Sequence, residues 1–462
     1  MKIRRKGNAL GKRVFSMLVL TFLLMNAPAA AQEGPAVTVS LDELIESGLK
    51  GNADIVQAYL ELHSAEAEQK AVAGGFLPQV SVSGQYDRNI KRPVFFFPAD
   101  RGGFPGTGGG NGATEGSVIE VGFDNSFQAS AQALLPVYDK VLIENNRLAK
   151  TSVKFSQANL RISKNEVANN IRKAYFEVLF AREALRVLEL SLENAAANFE
   201  HISNQFSREL VPEFDLIRAE VQVENLKPDI IQSQNELEDA VSQLKLLADI
   251  PEYMEINLKG DLESYYDSMK DEHPLQDINL DNNPSLQQMV FQKELQENQL
   301  KVNRAAFMPS VSTFANYAVL SQANNFNFSE YFWVNTSAVG LQVNIPIFQG
   351  FSQNRRVDQA KLGVEIAQVQ KEYTERSLHI QARNALNRIE RSLKSIVPQE
   401  KNIAQAERGY QIAKVSYERG AGTLIEVNDA ELALTQARLN FLKVKLEYLT
   451  ALSDLRALEG EF

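Results

Sequence analysis

The chain of 462 residues contains no cysteine, so it can form neither a disulfide bond nor a thiolate metal site. A run rich in glycine at residues 102–112 lacks the lysine and the strand–helix setting of a phosphate-binding loop. Histidine is scarce, and the spacing of the four copies is not that of a metal site: His63, His201, His273 and His379. We therefore expect no enzymatic chemistry and no bound cofactor.

Long apolar runs are also missing beyond residue 25, where no stretch reaches the roughly 18 residues that a membrane-spanning helix needs. The beginning of the chain differs. Six basic residues precede an apolar run at 14–25, and three alanines follow at 29–31, which is the order of a secretory signal peptide cleaved after Ala31. Removing residues 1–31 lowers the basic count from 48 to 42 against 58 acidic residues, so the formal net charge changes from −10 to −16. So acidic a protein is not expected to bind nucleic acid.

Helical periodicity dominates residues 171–247. Apolar residues recur every three or four positions over 171–206 and again over 216–247, with a break at 208–212. A sustained seven-residue repeat is typical of a coiled coil, and so short a break lets the second helix fold back along the first. The pattern predicts a long helical hairpin whose first arm covers about residues 138–208.

The same pattern recurs 211 residues later, which indicates an internal duplication. Leu192 and Phe206 of the first hairpin, for example, correspond to Ile403 and Tyr417 of the second. We therefore divide the chain into a signal peptide (1–31), a first repeat (32–249), a connector (250–282) and a second repeat (283–462). Each repeat is expected to contain a helix, two strands and a long hairpin.

The first repeat should begin with one helix over residues 41–76, capped by Ser40 or Asp42. The connector contains two prolines, a glycine and several aspartates and asparagines, so we expect it to pack beside the helices with little regular structure.

Two segments in each repeat alternate between apolar and polar residues, which predicts strands at 79–88, 119–133, 310–321 and 331–348. This alternation fits a half-buried sheet of a soluble domain, and it also fits transmembrane strands with lipid on one side and water on the other. The strands alone favour the soluble sheet. The duplication and the signal peptide reverse that preference.

Four strands cannot close a barrel, and unpaired strand edges in hydrocarbon cost several kcal/mol per backbone group. Three copies would supply about twelve strands. We therefore expect an α+β membrane protein in which a homotrimer forms one 12-stranded barrel, continued by a long α-helical coiled-coil barrel in the periplasm. The aromatic residues at 331–333 would then lie at the membrane interface.

Several motifs resemble the TolC family of outer membrane efflux proteins. They are Leu77-Pro78 and Met308-Pro309 at the start of strands, the hairpin tips at 206–211 and 417–422, and Asn428-Asp429-Ala430-Glu431. The resemblance covers nearly all of the mature chain. It implies a trimeric outer-membrane channel of a Gram-negative bacterium that docks on a periplasmic adaptor and an inner-membrane transporter. Such channels export drugs, metal ions or proteins, as in multidrug efflux and type I secretion.

Four residues near the tips are candidates for a periplasmic gate. Glu426 and Asp429 share one helix face, so a trimer would carry two acidic rings, which favour cations in a channel. The resemblance assigns both positions to an acidic constriction, matches Asp215 to an acidic position on the first hairpin, and matches Tyr417 to a tyrosine that helps to hold the tip closed. Plainer interpretations stand beside these. Thr423 and Glu426 fit a capping box, Asp429 suits the first helical turn, and Tyr417 continues the packing seam.

Six residues at the two tips are expected to contact the adaptor: Glu209, Leu210, Val211, Gly420, Ala421 and Gly422. Gly420 and Gly422 also supply the turn. The sequence departs from the family pattern at Glu209, where a tip glycine is usual, and at Gly422, where some relatives have arginine. We therefore expect a different set of contacts to hold this tip.

Two functions compete at this point. One is a passive outer-membrane exit duct, in which the tips open and the partner supplies the energy. The other is a periplasmic coiled-coil adaptor or scaffold without a membrane barrel, whose strands form a soluble domain.

Overall fold

The structure is a computed structural model that describes residues 37–97, 117–270 and 279–460. The predicted signal peptide, the whole glycine-rich run at 102–112 and His273 lie outside the described residues. The helices are α1 (Leu41–Gly51), α2 (Ala53–Gly74), α3 (Lys140–Phe206), α4 (Glu213–Leu247), α5 (Leu262–Met269), α6 (Pro284–Ala305), α7 (Ser352–Glu418) and α8 (Leu424–Glu459). The strands are β1 (Val37–Val39), β2 (Gln79–Arg88), β3 (Val94–Phe97), β4 (Ser117–Glu120), β5 (Asn125–Asp139), β6 (Ile256–Leu258), β7 (Ser310–Ala323) and β8 (Val334–Asn344).

The chain forms two compact units, and each draws on both halves of the sequence. The first unit comprises the described residues within 1–52, 167–273 and 389–453. The second comprises those within 53–166, 274–388 and 454–462. Among the described residues, none of the helices combines the length and the apolar character that crossing a lipid bilayer requires.

A four-stranded antiparallel sheet is the main β structure of the second unit, with strand order β2-β5-β7-β8. Directly opposed residues, such as Ala131 and Tyr317, point to the same face of the sheet. One face is therefore largely apolar: Val80, Val82, Tyr86, Phe127, Ala129, Ala131, Ala133, Ala315, Tyr317, Val319, Val339, Leu341 and Val343. The other face carries mainly serine, glutamine and asparagine. The predicted alternation holds in β2 and over residues 126–133 of β5, whereas Phe314 and Leu320 of β7 lie on the polar face and Ser337 of β8 lies on the apolar face.

The strand boundaries differ from the prediction in three places. The segment predicted at 119–133 is two strands, β4 and β5, because the chain turns at Gly122, whose φ of 92° favours glycine. Strand β5 does not end at residue 133, as predicted, but continues past Pro136 to Asp139, with a register shift between Pro136 and Tyr138. Such a bulge accommodates a proline that cannot donate a ladder hydrogen bond. The fourth strand is shorter than predicted, and the aromatic residues at 331–333 precede it.

The predicted single helix at 41–76 is wrong, because it breaks at Asn52 into α1 and α2. Asn52 leaves the helical region, with φ −58° and ψ 134°, and its side-chain amide donates to the Leu247 carbonyl at 3.0 Å. At the other end of α1, Ser40 is the N-cap and forms a capping box with Glu43.

The connector has more regular structure than predicted. It contains strand β6, which pairs in parallel with β1, and the short helix α5. Within the first unit it packs against the long helices: the buried Tyr175 of α3 donates to the Lys259 carbonyl at 2.5 Å, and the buried Lys445 of α8 forms an ion pair with Glu263. The Lys445 ammonium also lies 3.9 Å from the centre of the Phe441 ring, and burial lowers its pKa to about 8.

The two predicted helical hairpins are present as α3–α4 and α7–α8. In the first unit the seam of the second hairpin contains buried Tyr410, Val427 and Leu434, with Ile403 and Ala430 packed beside them. All five belong to the predicted seven-residue repeat, so the repeat does identify the buried face of this hairpin.

Candidate functional site at the hairpin tips

The first hairpin turns at Glu209. Its backbone N–H donates to the Phe206 carbonyl at 2.8 Å, and the N–H of Leu210 donates to the Gln205 carbonyl at 3.0 Å. Glu209 has a φ of 59°, in the left-handed region that usually favours glycine. This is a left-handed C-cap, which satisfies the last carbonyl groups of α3.

The second hairpin turns in the same way 211 residues later. The N–H of Gly420 donates to the Tyr417 carbonyl at 2.9 Å, and that of Ala421 donates to the Ser416 carbonyl at 2.8 Å. Gly420 has a φ of 71°. The turns are thus equivalent, but a residue with a Cβ in this conformation costs about 1 kcal/mol more than glycine. Glu209 bears that cost, and Gly420 avoids it.

The two return helices begin differently. In α8 the Thr423 N–H donates to Glu426 Oε2 at 2.9 Å, and the Glu426 N–H donates to Thr423 Oγ1 at 3.4 Å, which is the predicted capping box. Pro212, the N-cap of α4, makes no side-chain capping bond. A Cβ at Gly422 would lie 3.1 Å from Glu426 Oε2 and 3.1 Å from Ser416 Cβ. A larger residue at 422 would therefore press on the capping carboxylate.

A small apolar cluster joins the tips of the two hairpins. Its buried members are Ile202 of α3, Ala219 of α4 and Leu424 of α8, and Val211 and Tyr417 pack against them. We call these five residues the tip cluster. Because it draws on both hairpins, parting the tips exposes apolar surface that is now buried.

Tyr417 is the residue that links the tip cluster to the seam of the second hairpin. Its hydroxyl oxygen is buried and has no hydrogen-bond partner in the part of the chain that the structure describes. Burial raises the pKa of Tyr417, and the negative charge of Asp215 raises it further. The structure thus brings Tyr417 and Asp215 together, by proximity and without a hydrogen bond of the phenol.

The remaining predicted residues lie largely at the surface. Glu426 and Asp429 are exposed, on successive turns of α8. Of the predicted adaptor contacts, Glu209, Leu210, Gly420 and Ala421 are exposed, whereas Val211 and Gly422 are half-buried. Exposed apolar side chains continue from Leu210 along the first turns of α4, at Phe214 and Ile217.

One buried polar residue near the tips was not among the predicted site residues. Glu431 of α8 is buried and accepts a hydrogen bond from Ser191 of α3. A signal for it was available, since Glu431 directly follows the seam residue Ala430 on a helix that packs on two sides. Within the described residues, no group of three or more histidine, aspartate or glutamate side chains is placed to hold a metal ion.

Long helical hairpins with joined tips, together with a sheet that has one apolar face, are the features expected from the sequence for an outer-membrane export protein. The family model described as "Outer membrane efflux protein" matches residues 44–248 and 275–461. The chain belongs to this family.

Three known proteins illustrate the similarity. Outer membrane protein TolC of Escherichia coli K12 is 22% identical over 352 residues, 73% of this chain and 70% of TolC. Cation efflux system protein CusC of the same organism is 23% identical over 412 residues, 86% of this chain and 80% of CusC. The crystal structure of the Campylobacter jejuni CmeC outer membrane channel aligns with a TM-score of 0.72 and 20% identity, covering 91% of this chain and 85% of CmeC.

Family membership confirms the predicted resemblance, the location in the outer membrane of a Gram-negative bacterium and the role in efflux. It also favours the export function over the adaptor or scaffold. Of these relatives, CmeC is named an outer membrane channel.

Proposed function

We propose that three copies of the chain form an outer-membrane channel that continues into a helical tunnel in the periplasm. Each repeat, 32–249 and 283–462, supplies two strands and one hairpin, and the connector at 250–282 joins them after residues 1–31 have been removed on export. The trimer then has a 12-stranded barrel, in line with the closure that strands in a bilayer require.

The observation that carries this proposal is the four-stranded sheet. Within the described residues its outer strands, β2 and β8, each pair on one side only. Its apolar face is open to solvent in the single chain, where the side chain of Val339 is 82% exposed and that of Val82 is 78% exposed. A soluble domain would cover such a face. In the proposed trimer, lipid covers this face, and neighbouring copies of the chain pair with the free edges of β2 and β8.

A second unpartnered surface supports the assembly. Helix α7 carries an exposed apolar stripe in the second unit, at Leu362, Ile366, Val369, Tyr373 and Ile380, each between 58% and 68% exposed. The spacing of four, three, four and seven residues follows one coiled-coil seam. Another copy of the chain is the partner that a helical tunnel offers to this stripe.

The hairpin tips are the gate in this proposal. The tip cluster keeps the two hairpins of each chain together, with Tyr417 packed beside Asp215, and Glu426 and Asp429 form acidic rings around the opening. Opening parts the cluster at Tyr417. The residues of both turns, from Glu209 to Val211 and from Gly420 to Gly422, are the surface for the periplasmic adaptor, and all but Val211 and Gly422 are exposed.

The channel is the passive exit duct of a tripartite efflux or type I secretion system, with an inner-membrane transporter as the source of energy. CusC, a relative of this chain, is named for cation efflux. In this proposal the transporter, and not the duct, determines the substrate.

The experiment is conductance of the purified chain in planar lipid bilayers, with two lysine variants on adjacent residues of β8. Val339 lies on the apolar face and Ala338 on the polar face, and both are exposed. A lysine on the lipid side near the bilayer midplane costs about 2 to 4 kcal/mol, whereas one in the lumen stays hydrated.

We expect Val339→Lys to reduce the frequency of channel insertion at least tenfold, and Ala338→Lys to insert normally and lower the preference for cations. Equal insertion of both variants would refute the assigned faces. Absence of conductance from the unsubstituted chain would refute the channel.

A further inference from the structure

Glu431 is a carboxyl group buried between the two hairpins. It is 3% exposed and lies on α8, and its Oε1 accepts a hydrogen bond from Ser191 Oγ of α3 at 3.5 Å. Ser191 in turn accepts one from Thr435 Oγ1 at 3.3 Å. Glu431, Ser191 and Thr435 thus form a polar contact between the outgoing helix of the first hairpin and the return helix of the second.

Helix α7 supplies the titratable and charged groups that face this carboxyl. Tyr410 is buried beside it. Burial has the largest effect on the pKa of the Tyr410 phenol and raises it, and the negative charge of Glu431 raises it further. Burial raises the pKa of Glu431 to about 7. The hydrogen bond from Ser191 and the positive charge of Lys414 each lower this pKa, but by less than burial raises it. A single weak hydrogen bond and an exposed lysine therefore offset only part of the cost of a buried negative charge.

We propose that Glu431 is a pH-sensitive latch: in its neutral form it lets α3 pack against α7 and α8, and its ionisation drives the two hairpins apart. The inference about packing stands on the contacts of Glu431 alone, and only its consequence, a gate that opens as pH rises, rests on the proposed function.

The direction and size of the pH effect on packing follow from the difference in the pKa of Glu431 between the packed and parted states. In the packed state the pKa of Glu431 is about 7, and in a parted state the carboxyl is hydrated and has its ordinary value of about 4.5. Packing is then fully stabilised below about pH 4.5 and weakens until the pH passes about 7. Between about pH 6 and pH 8.5 the equilibrium constant for parting should rise about tenfold.

The test measures thiol accessibility in the full chain, which has no cysteine of its own. Ala195→Cys places one thiol at a buried position one turn from Ser191, on the same face of α3. Ala197→Cys places a thiol at an exposed position on the same helix. The ratio of their rates of labelling by a methanethiosulfonate reagent removes the pH dependence of the thiol itself and reports how often the hairpins part.

We expect this ratio to rise about tenfold from about pH 6 to about pH 8.5 in the parent, and to stay constant in Glu431→Gln. The matched control is Glu193→Gln, which removes an exposed charge on α3 and should behave as the parent. Ser191→Ala removes a bond that lowers the pKa of Glu431, so the midpoint should move to higher pH. If Glu431→Gln does not fold, the shift of the midpoint in Ser191→Ala tests the latch instead.

A constant ratio in the parent, or the same rise in Glu431→Gln as in the parent, would overturn the latch. Because the readout is labelling and not conductance, it succeeds or fails independently of the channel. A latch without conductance would leave this inference intact and remove the proposed function.

Discussion

Replacing Tyr417 with phenylalanine tests how the tips are held. The variant keeps the ring, which packs against the tip cluster, and removes a buried hydroxyl that has no hydrogen-bond partner among the described residues. An unsatisfied buried hydroxyl costs about 1 to 3 kcal/mol. Since the Tyr417 side chain as a whole is only half-buried, we take the lower end, about 1 kcal/mol in favour of the packed tips.

The assay is thiol labelling of Ala219→Cys, at a position in the tip cluster that is 2% exposed. A stabilisation of about 1 kcal/mol slows labelling about fivefold in Tyr417→Phe. Tyr417→Ala, which also loses the ring, should speed it about tenfold or more, because the burial of a half-buried aromatic side chain contributes about 1.5 kcal/mol or more. Faster labelling in Tyr417→Phe would mean that the hydroxyl forms a stabilising bond, and it would refute packing as the means of closure.

Two further predictions concern the tips. Gly420→Ala should destabilise the second turn by about 1 kcal/mol, and Glu209→Gly should stabilise the first turn by a similar amount. Both effects are measured by the rate of labelling of Ala219→Cys. A change of the same sign in both variants would contradict the left-handed caps. Glu426→Gln with Asp429→Asn should lower cation preference in planar bilayers. Thr423→Ala removes the cap but no charge and is the control, so unchanged selectivity in the double variant would reduce both acids to helix-end stabilisers.

The parts of the fold that repeat locally were predictable. The seven-residue repeat identified the seam around Tyr410 and Leu434, and the alternation in β2 and β5 identified the apolar face of the sheet. Thr423 and Glu426 form the predicted capping box, since both groups lie within one turn of chain. In each case the interactions that produce the local structure lie within one short segment of the chain.

The features that were missed depend on contacts between distant segments. The helix breaks at Asn52 because its amide reaches the carbonyl of Leu247, 195 residues away. Strand β6 forms in the connector because β1 is available to pair with it. Strand β5 passes Pro136 because β7 continues to pair beyond the bulge. A pattern within one segment cannot signal any of these partners.

The candidate site was predictable to a similar degree. The tip residues were found because they interrupt the helical pattern. The family resemblance named Tyr417 and Asp215 separately, and their proximity was not predicted, because α7 and α4 meet in space and not in sequence. Glu431 was overlooked as a site although it follows the seam residue Ala430, because its hydrogen-bond partner Ser191 lies on the first hairpin, 240 residues away.

The central claim is that the sheet of one chain is incomplete without two further copies. The mass of the purified protein in mild detergent, determined by native mass spectrometry, tests it most directly. We predict a species of three chains, each somewhat below the 51.6 kDa of the full sequence once the signal peptide has been removed. A single chain that stays monodisperse in water without detergent would contradict the claim, because its apolar face and its two unpaired strand edges would then need no partner.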